Sequence, residues 1–506
     1  MERLLLALLT ALAFGVRLGR LLGSAHPLGT DGYYYVVQVE SLLSHGRLHV
    51  PDASWVHGLL AVVAGVAGDP VLGVKLGAAL LAALCIPAAW LVGRTLGGGR
   101  VGAWVLAGWA GASPTLTHLA GDFPKNLGVA APLLLLLALA AMGWWRPGDW
   151  RRWWRAVVVA SLVLLVATAH RTGAALLVVG GFGWCLGWLG RRLARGRSDS
   201  TRASLWGLGL VAGCGLLFGL GSSLLPAWLH PSDLARLEGR FVLAPHLPAP
   251  WGWLHLRPTG FRQVVELSLP WVALVAAAPA WFARPSARPW LAALGLPTAL
   301  LLFPGWRVDD LDLGYRLSLL APMVAMPLVV LLLAPRLPEA QARPPVILVL
   351  VCIALAPGSW PGIDPGAAPP YERYGEVVEA IPRPLPQLLI AHQGMSFYYD
   401  HLTGQEAMAW APEPELDRAE VGRVVHGVRA GEWLAFAPDR VPAPRPVPLG
   451  HGYHYLREDL WEAFLDRALE EGDDDLSARL DDWRNPRVAR PAHLLRGIGV
   501  ALHTVS

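Results

Sequence analysis

The sequence predicts a polytopic α-helical membrane protein, with about eleven transmembrane helices and a small C-terminal α/β soluble domain. Three observations predict it. The chain is 54% hydrophobic and only 16% charged, where soluble domains carry about 25% charged residues. Its mean hydropathy is +0.42. The charge is also uneven: apolar runs fill the chain to about Leu355, and charged residues crowd the region after Tyr371. Two regimes imply a membrane part, residues 1–358, and an extracytoplasmic soluble part, residues 359–506.

A spanning helix needs about 20 mostly apolar residues. The candidate runs are 3–20, 70–93, 101–117, 127–145, 155–170, 173–190, 204–226, 265–283, 289–304, 316–334 and 344–358. The first begins Met1-Glu2-Arg3 and is followed by Arg17 and Arg20, where a signal peptide would carry a small-residue cleavage site. It reads as an uncleaved helix whose arginines snorkel to the interface. Trp55–Gly68 is apolar but too short to span, and reads as a re-entrant or interfacial helix.

Arginine placement orients the chain. With the N-terminus in the cytoplasm, the cytoplasmic short loops hold Arg94, Arg100, Arg146, Arg151, Arg152, Arg155, Arg191, Arg192, Arg195, Arg197, Arg202, Arg284, Arg288, Arg336 and Arg343. The opposite short loops hold Lys125, Arg171, Arg307 and Arg316. That asymmetry, with an odd number of spans, sends the C-terminal domain outside; the expected location is a bacterial or archaeal cytoplasmic membrane. The net charge of +4 is too small to argue for nucleic acid. The four cysteines, Cys85, Cys185, Cys214 and Cys352, lie in apolar runs without metal-type spacing and read as free thiols. Most of the 24 tryptophans flank spans, as interfacial belts do.

The outer loops carry the residues that could do chemistry. The long first loop, residues 21–69, contains Asp31 before Gly32-Tyr33-Tyr34-Tyr35. An Asp there caps a helix, or serves as a carboxylate that accepts a proton or holds a divalent cation. Gly121-Asp122-Phe123-Pro124-Lys125-Asn126 is a turn held between two apolar runs, with His118 one helical turn upstream. Pro at a helix start explains it structurally; a second carboxylate with a lysine for phosphate explains it functionally. His170-Arg171-Thr172 is a tight turn in which Arg171 either snorkels or contacts phosphate. Asp309, Asp310 and Asp312 precede Gly314-Tyr315-Arg316, and an acidic run in a loop is usually solvated surface. Trp306 and Arg307 could line the same rim, and Trp251, Trp253 and His255 could contact a sugar ring.

The arrangement resembles the GT-C superfamily of membrane glycosyltransferases. Thr30-Asp31-Gly32-Tyr33-Tyr34-Tyr35, followed by His45-Gly46-Arg47, is similar to the Asp-x-Tyr-Tyr-His segment of the oligosaccharyltransferase catalytic subunit. Gly121–Asn126 sits where that superfamily places its second acidic motif, and Gly314-Tyr315-Arg316 looks like a late Arg-aromatic element. The match covers the layout of the membrane part and three short motifs. The second motif reads Asp122-Phe123-Pro124 rather than Asp-x-Asp or Asp-x-Glu, and the soluble part shows no Trp-Trp-Asp motif, which argues against transfer to protein asparagine. What the resemblance implies is an inverting transfer from a polyprenyl-phosphate sugar to a lipid, glycan or other acceptor. Asp31 and Asp122 would be catalytic, with a divalent metal, Mg or Mn, as an optional ligand of both. Lys125, Arg171 and Arg316 would bind the donor phosphate, and His118, Tyr33, Tyr34, His170 and Asn126 would lie around the substrate.

In the soluble part, Leu388–His392 reads as a buried strand and Gly394–Leu402 as a helix. Val421–Val428 with Glu432–Ala437 suggests a helix-strand unit, and Leu460–Glu471 an acidic amphipathic helix. His392, His401, His451 and His454 read as scattered surface or core residues. A transporter or flippase and a non-catalytic assembly protein are the competing functions. A transporter would show internal repeats or polar and broken segments at mid-membrane, and the sequence displays neither.

Overall fold

The computed structural model describes residues 2–29, 31–144, 153–194, 209, 260–302, 311–336, 371–391, 393–408, 421–426 and 447–457. The expected spans 204–226 and 344–358, the Trp251–His255 and Trp306–Asp310 loop residues, His392, Glu432–Ala437 and Leu460–Glu471 lie outside the described residues. The chain divides into two compact units. One joins Met1–Ala25 to Ser41–Pro365, and the other joins His26–Glu40 to Gly366–Ser506.

The first unit is a helical bundle. Its described helices are α1 (Glu2–Leu21), α3 (Trp55–Ala67), α4 (Pro70–Gly93), α5 (Gly99–Ala112), α6 (Pro114–Asp122), α7 (Pro124–Ala141), α8 (Trp153–Ala169), α9 (Arg171–Leu193), α10 (Gly260–Ala283), α11 (Arg288–Leu302) and α12 (Leu311–Leu333). Helix α2 (Gly32–His45) passes from the second unit into the first. Five helical stretches among the described residues are long and apolar enough to cross a membrane: Glu2–Leu21, Pro70–Ala112, Pro124–Ala141, Arg171–Leu193 and Val265–Ala283. The chain is thus a polytopic helical membrane protein. Pro70–Ala112 is not one rod. The backbone leaves helical geometry at Leu96 and Gly97, where Gly97 takes φ 90°, and α4 and α5 fold back as a hairpin. A Cβ on Gly93 would fall 2.2 Å from the Gly102 carbonyl oxygen, so only glycine allows this approach.

The run expected at 101–117 is two helices. Ser113 is extended (φ −62°, ψ 115°) because it precedes Pro114. Its hydroxyl caps α6 by accepting from the Leu116 N–H at 3.0 Å. The structure corrects two expectations here. A broken helix is present, and Arg17 does not snorkel. Arg17 is fully buried; its guanidinium donates to the Ala110 carbonyl at 2.6 Å, the Gly111 carbonyl at 3.2 Å and the Thr117 hydroxyl at 3.1 Å. The positive group thus meets the C-terminal carbonyls of α5, where the helix dipole is negative.

The arginine-rich ends gather on one side of the bundle. Glu2 pairs with Arg94 at 3.6 Å and with Arg100. Gly97 lies against Ala334. Arg284 donates to the Leu332 carbonyl at 3.1 Å, and Arg288 to the Gly190 carbonyl at 2.6 Å. Helix α7 begins at Lys125's end and finishes toward Trp144, over which Arg155 stacks at 5.1 Å. Among the described residues, the segments carrying Arg94, Arg100, Arg284 and Arg288 therefore share a face.

Helix α3 is short, 13 residues, and ends at Gly68 in the left-handed region (φ 73°). It packs so close to α4 that a Cβ on Gly73 would fall 2.3 Å from the Ala64 Cα. Gly73→Ala is expected to lower the stability of the detergent-purified protein by at least about 2 kcal/mol, read as a fall in its thermal unfolding midpoint. An unchanged midpoint would mean α3 is free to move aside.

The second unit holds a five-stranded sheet in the order β2-β1-β3-β5-β4. Strands β1 (Leu388–Ile390), β2 (Glu406–Met408) and β3 (Val421–His426) are parallel neighbours, with Leu388 opposite both Glu406 and Val421. Helix α14 (Gln393–Thr403) makes the crossover from β1 to β2 that a parallel pair requires. Strand β5 (Tyr453–Arg457) pairs antiparallel with β3, and β4 (Val447–Gly450) pairs antiparallel with β5 at the sheet edge. The expected strand at Leu388 and helix at Gly394 are present. Val421–His426, expected within a helix-strand unit, is a strand whose Val424 pairs with Tyr455.

Helix α13 (Tyr371–Glu379) completes this unit with the segment His26–Glu40. Tyr33 is the centre of an aromatic cluster, with ring centroids 4.8 Å from Tyr371, 4.7 Å from Tyr398 and 4.8 Å from His401. Polar tips are tied as well: Tyr371 donates to the Gly29 carbonyl at 2.7 Å, Tyr33 meets His26 Nδ1 at 2.8 Å, and His401 meets Glu40 at 2.9 Å. Such aromatic pairs add about 0.5–1.5 kcal/mol each beyond area burial. The cluster explains why a segment early in the chain folds with residues after 366.

Candidate functional site at the helix ends opposite the basic face

Within the first unit, the expected residues of the second acidic motif and of the His170 turn come together. Helix α6 ends at Asp122, Phe123 interrupts the helix (φ −134°, ψ 60°), and Pro124 starts α7. Asp122 is buried, 8% exposed. His118, one turn back on α6, places Nε2 at 3.9 Å from the Asp122 carboxylate. Lys125 and Asn126 follow in the first turn of α7. Asn126 accepts from the Thr172 hydroxyl at 3.5 Å, a long contact that links α7 to the start of α9. His170 is extended and caps α9, its Nδ1 accepting from the Thr172 N–H at 3.2 Å. Arg171 is the first residue of α9 and is exposed.

Two residues of this region were not singled out in the sequence: Asp52 and His57. Lys125 Nζ donates to Asp52 Oδ2 at 2.7 Å. His57, in the first turn of α3, lies with Nε2 3.4 Å from the same oxygen. The Ser54 N–H donates to Asp52 Oδ1 at 2.8 Å and fixes the turn. Two further bonds hold this corner against α8: Ser54 Oγ to the Ala169 carbonyl at 2.6 Å and Trp55 Nε1 to the Leu165 carbonyl at 2.9 Å. Burial by itself would raise the Asp52 pKa. The His57 interaction and the Lys125 ammonium outweigh it and hold the carboxyl well below the usual carboxylate range. The carboxylate is therefore ionised and largely balances Lys125. The signal in the sequence was slight, an Asp two residues before a Ser-Trp helix start.

The remaining expected site residues belong to other segments. Asp31 is buried, 8% exposed, and immediately precedes α2, its carbonyl accepting from the Tyr35 N–H. It belongs to the second unit, as do Tyr33 and Tyr34. Tyr34 packs on Phe397 at 5.1 Å and accepts from Gln38 at 3.1 Å. Tyr33 is thus a core residue of that unit and Tyr34 is half-buried at its edge. Gly314-Tyr315-Arg316, expected just before a span, falls inside α12, which starts at Leu311; the Arg316 side chain lies outside the described atoms. Among the described residues no three His, Cys, Asp or Glu side chains converge as a metal site. Within the first unit, Asp122 and His118 offer two potential donor groups.

What this mouth can do follows from its groups. It offers a buried carboxylate beside an imidazole, an ion pair that a charged ligand could exchange with, and an exposed guanidinium at a helix start. All stand at the ends of helices whose flanks are apolar.

No family model and no curated protein matches this chain. Among solved structures, it is similar to ArnT from Cupriavidus metallidurans in the apo state, with a TM-score of 0.49, 14% identity, and coverage of 90% of this chain and 97% of that one. It is also similar to ArnT from Cupriavidus metallidurans bound to undecaprenyl phosphate, with a TM-score of 0.42, 13% identity, and coverage of 90% and 98%.

Proposed function

We propose that the chain is a membrane glycosyltransferase that moves a sugar from a polyprenyl-phosphate-linked donor to a lipid, glycan or other acceptor. One observation carries this: the α6–α7 corner, where buried Asp122 meets His118 beside Lys125, Asn126 and the His170-Arg171 turn. A lipid-linked donor keeps its polyprenyl tail in the bilayer, so its phosphate must be met by polar groups at helix ends. The motifs around Asp31 and Asp122, similar to those of GT-C enzymes, support the same reaction class.

The step is displacement at the anomeric carbon with inversion. The acceptor oxygen forms a bond to that carbon as the bond to the phosphate oxygen breaks, and a carboxylate takes the acceptor's proton. We assign the base to Asp31 and the orientation of the acceptor to Asp122. The departing phosphate needs a cation. Lys125, which also holds Asp52, and Arg171 are assigned this role, with Arg316 as a further candidate. The active face is the one opposite the arginine-rich ends, and the positive-inside rule supports its lying outside the cytoplasmic membrane with the N-terminus inside.

The test is a panel of undecaprenyl-phosphate sugars given to the purified protein, with mass analysis of the products. Release of undecaprenyl phosphate together with a glycosylated acceptor is expected. Failure to consume any donor would overturn the assignment. Asp31→Asn is expected to abolish transfer with the fold intact; full activity in that variant would remove Asp31 as base.

A transporter is the second reading, favoured by the broken α5–α6 helix with its buried Arg17 and by the buried Glu266 on α10. It predicts movement of a lipid-linked or small polar substrate across proteoliposomes without covalent change. Flux with no new product would favour it over transfer.

A further inference from the structure

The break between α5 and α6 is closed by a second charged group that the reaction does not use. Glu266, in the first turns of α10, is buried at 4% exposure and reaches the start of α6. Its Oε2 accepts from the Thr115 N–H at 3.0 Å and the Thr115 hydroxyl at 2.7 Å. Its Oε1 accepts from the Ser113 hydroxyl at 2.5 Å and the Trp109 indole at 2.7 Å. Each carboxyl oxygen thus meets two polar groups of α5 and α6. The negative group lies at the positive end of the α6 dipole, while Arg17 lies at the negative end of α5. Two opposite charges, from α1 and α10, therefore fix both sides of one interruption.

Helix α6 has nine residues and ends at Asp122. A helix this short has little stability of its own in isolation, so its direction follows from what binds its ends. We propose that Glu266 is a positioning residue: by holding the first turn of α6 it sets where His118 and Asp122 stand at the mouth. This deepens the transferase assignment above and rests on it. Alternative uses of Glu266 fit less well, since its four donors are all from the protein.

The test is Glu266→Gln in the full-length protein. A carboxamide accepts at one atom only, so whichever way it turns, its NH2 faces either Thr115 or Trp109 and Ser113. The expected result is a 10- to 100-fold fall in kcat with donor KM within about twofold. It should come with faster hydrogen exchange confined to the α6 amides, Thr115 to Asp122. Glu266→Asp, which keeps the charge, should recover part of the rate. Ser113→Ala, which removes one donor, is the milder variant and should give the same pattern at smaller size if Glu266→Gln fails to fold. Unchanged α6 exchange would overturn the positioning role, as would exchange raised evenly through the bundle. Faster α6 exchange with an unchanged kcat would overturn its link to the reaction. Asp122→Asn separates the two claims: if that variant keeps full activity the transferase site is misassigned, whereas an inactive Asp122→Asn beside a fully active Glu266→Gln sinks only the positioning role.

Discussion

Asp122→Asn is expected to slow sugar transfer at least about 100-fold, the range in which a positioned carboxylate contributes to proton transfer and orientation. The substitution is isosteric, so the helix end and the turn at Phe123 should survive. The Asp122 side chain is 11% exposed and its imidazole neighbour is 3.9 Å away, which makes its charge the property that changes. Donor KM should move little, because the phosphate is met by other groups. Steady-state rates with the best donor of the panel, together with a thermal unfolding midpoint within about 2 °C of the parent, check both halves. A rate within threefold of the parent would leave Asp122 as a structural helix end. His118→Ala should give a smaller fall, since the imidazole acts on the carboxylate rather than on the sugar.

The membrane class was legible because the bilayer constrains composition directly: spans must be long and apolar, with their backbone bonds satisfied internally. The His170 turn was legible for the same reason, a single polar interruption between two apolar runs. The grouping of arginines by loop carried over into contacts such as Glu2 with Arg94 and Arg288 with the Gly190 carbonyl. The break at Ser113 was written in the sequence as a capping serine before proline, but it was masked by the apolar residues on either side. Arg17 was misread because an arginine near a helix end snorkels by default. Its partners, Ala110, Gly111 and Thr117, are about 100 residues away in sequence. The packing of Tyr33 was hidden for a different reason. Aromatic residues beside an acid suggest a binding surface, yet here they form the core of a unit whose other half begins after residue 366. Local pattern fixes periodicity and caps; it does not reveal which distant segment supplies the other half of a core.

Lys125→Met is expected to be among the most destabilising single changes at the mouth. It leaves Asp52 mostly buried, 18% exposed, with His57 as its neighbour at 3.4 Å. Removing one partner of a buried pair costs about 3–5 kcal/mol; partial exposure lowers the expectation here to about 2–3 kcal/mol. Asp52→Asn should cost less, because Lys125 can reach water, and adding Asp52→Asn to Lys125→Met should recover part of the loss. The pH dependence has a definite sign. Asp52 titrates well below the usual carboxylate range in the folded state and near 4 when unfolded, as carboxylates ordinarily do. Its contribution to stability is therefore complete above about pH 4 and is lost as the pH falls below that toward the folded value, where the unfolded chain binds the proton first. Thermal midpoints of the detergent-purified protein between pH 6 and pH 3 should fall steeply at the acid end. The fall should be shallower in Asp52→Asn, which has no carboxyl to protonate, and also in Lys125→Met, where the folded pKa has moved back toward the unfolded one. An Asp52→Asn profile that matches the parent throughout would mean the pair does not hold the α3, α7 and α8 ends together. The mouth would then owe its shape to the Ser54 and Trp55 bonds alone.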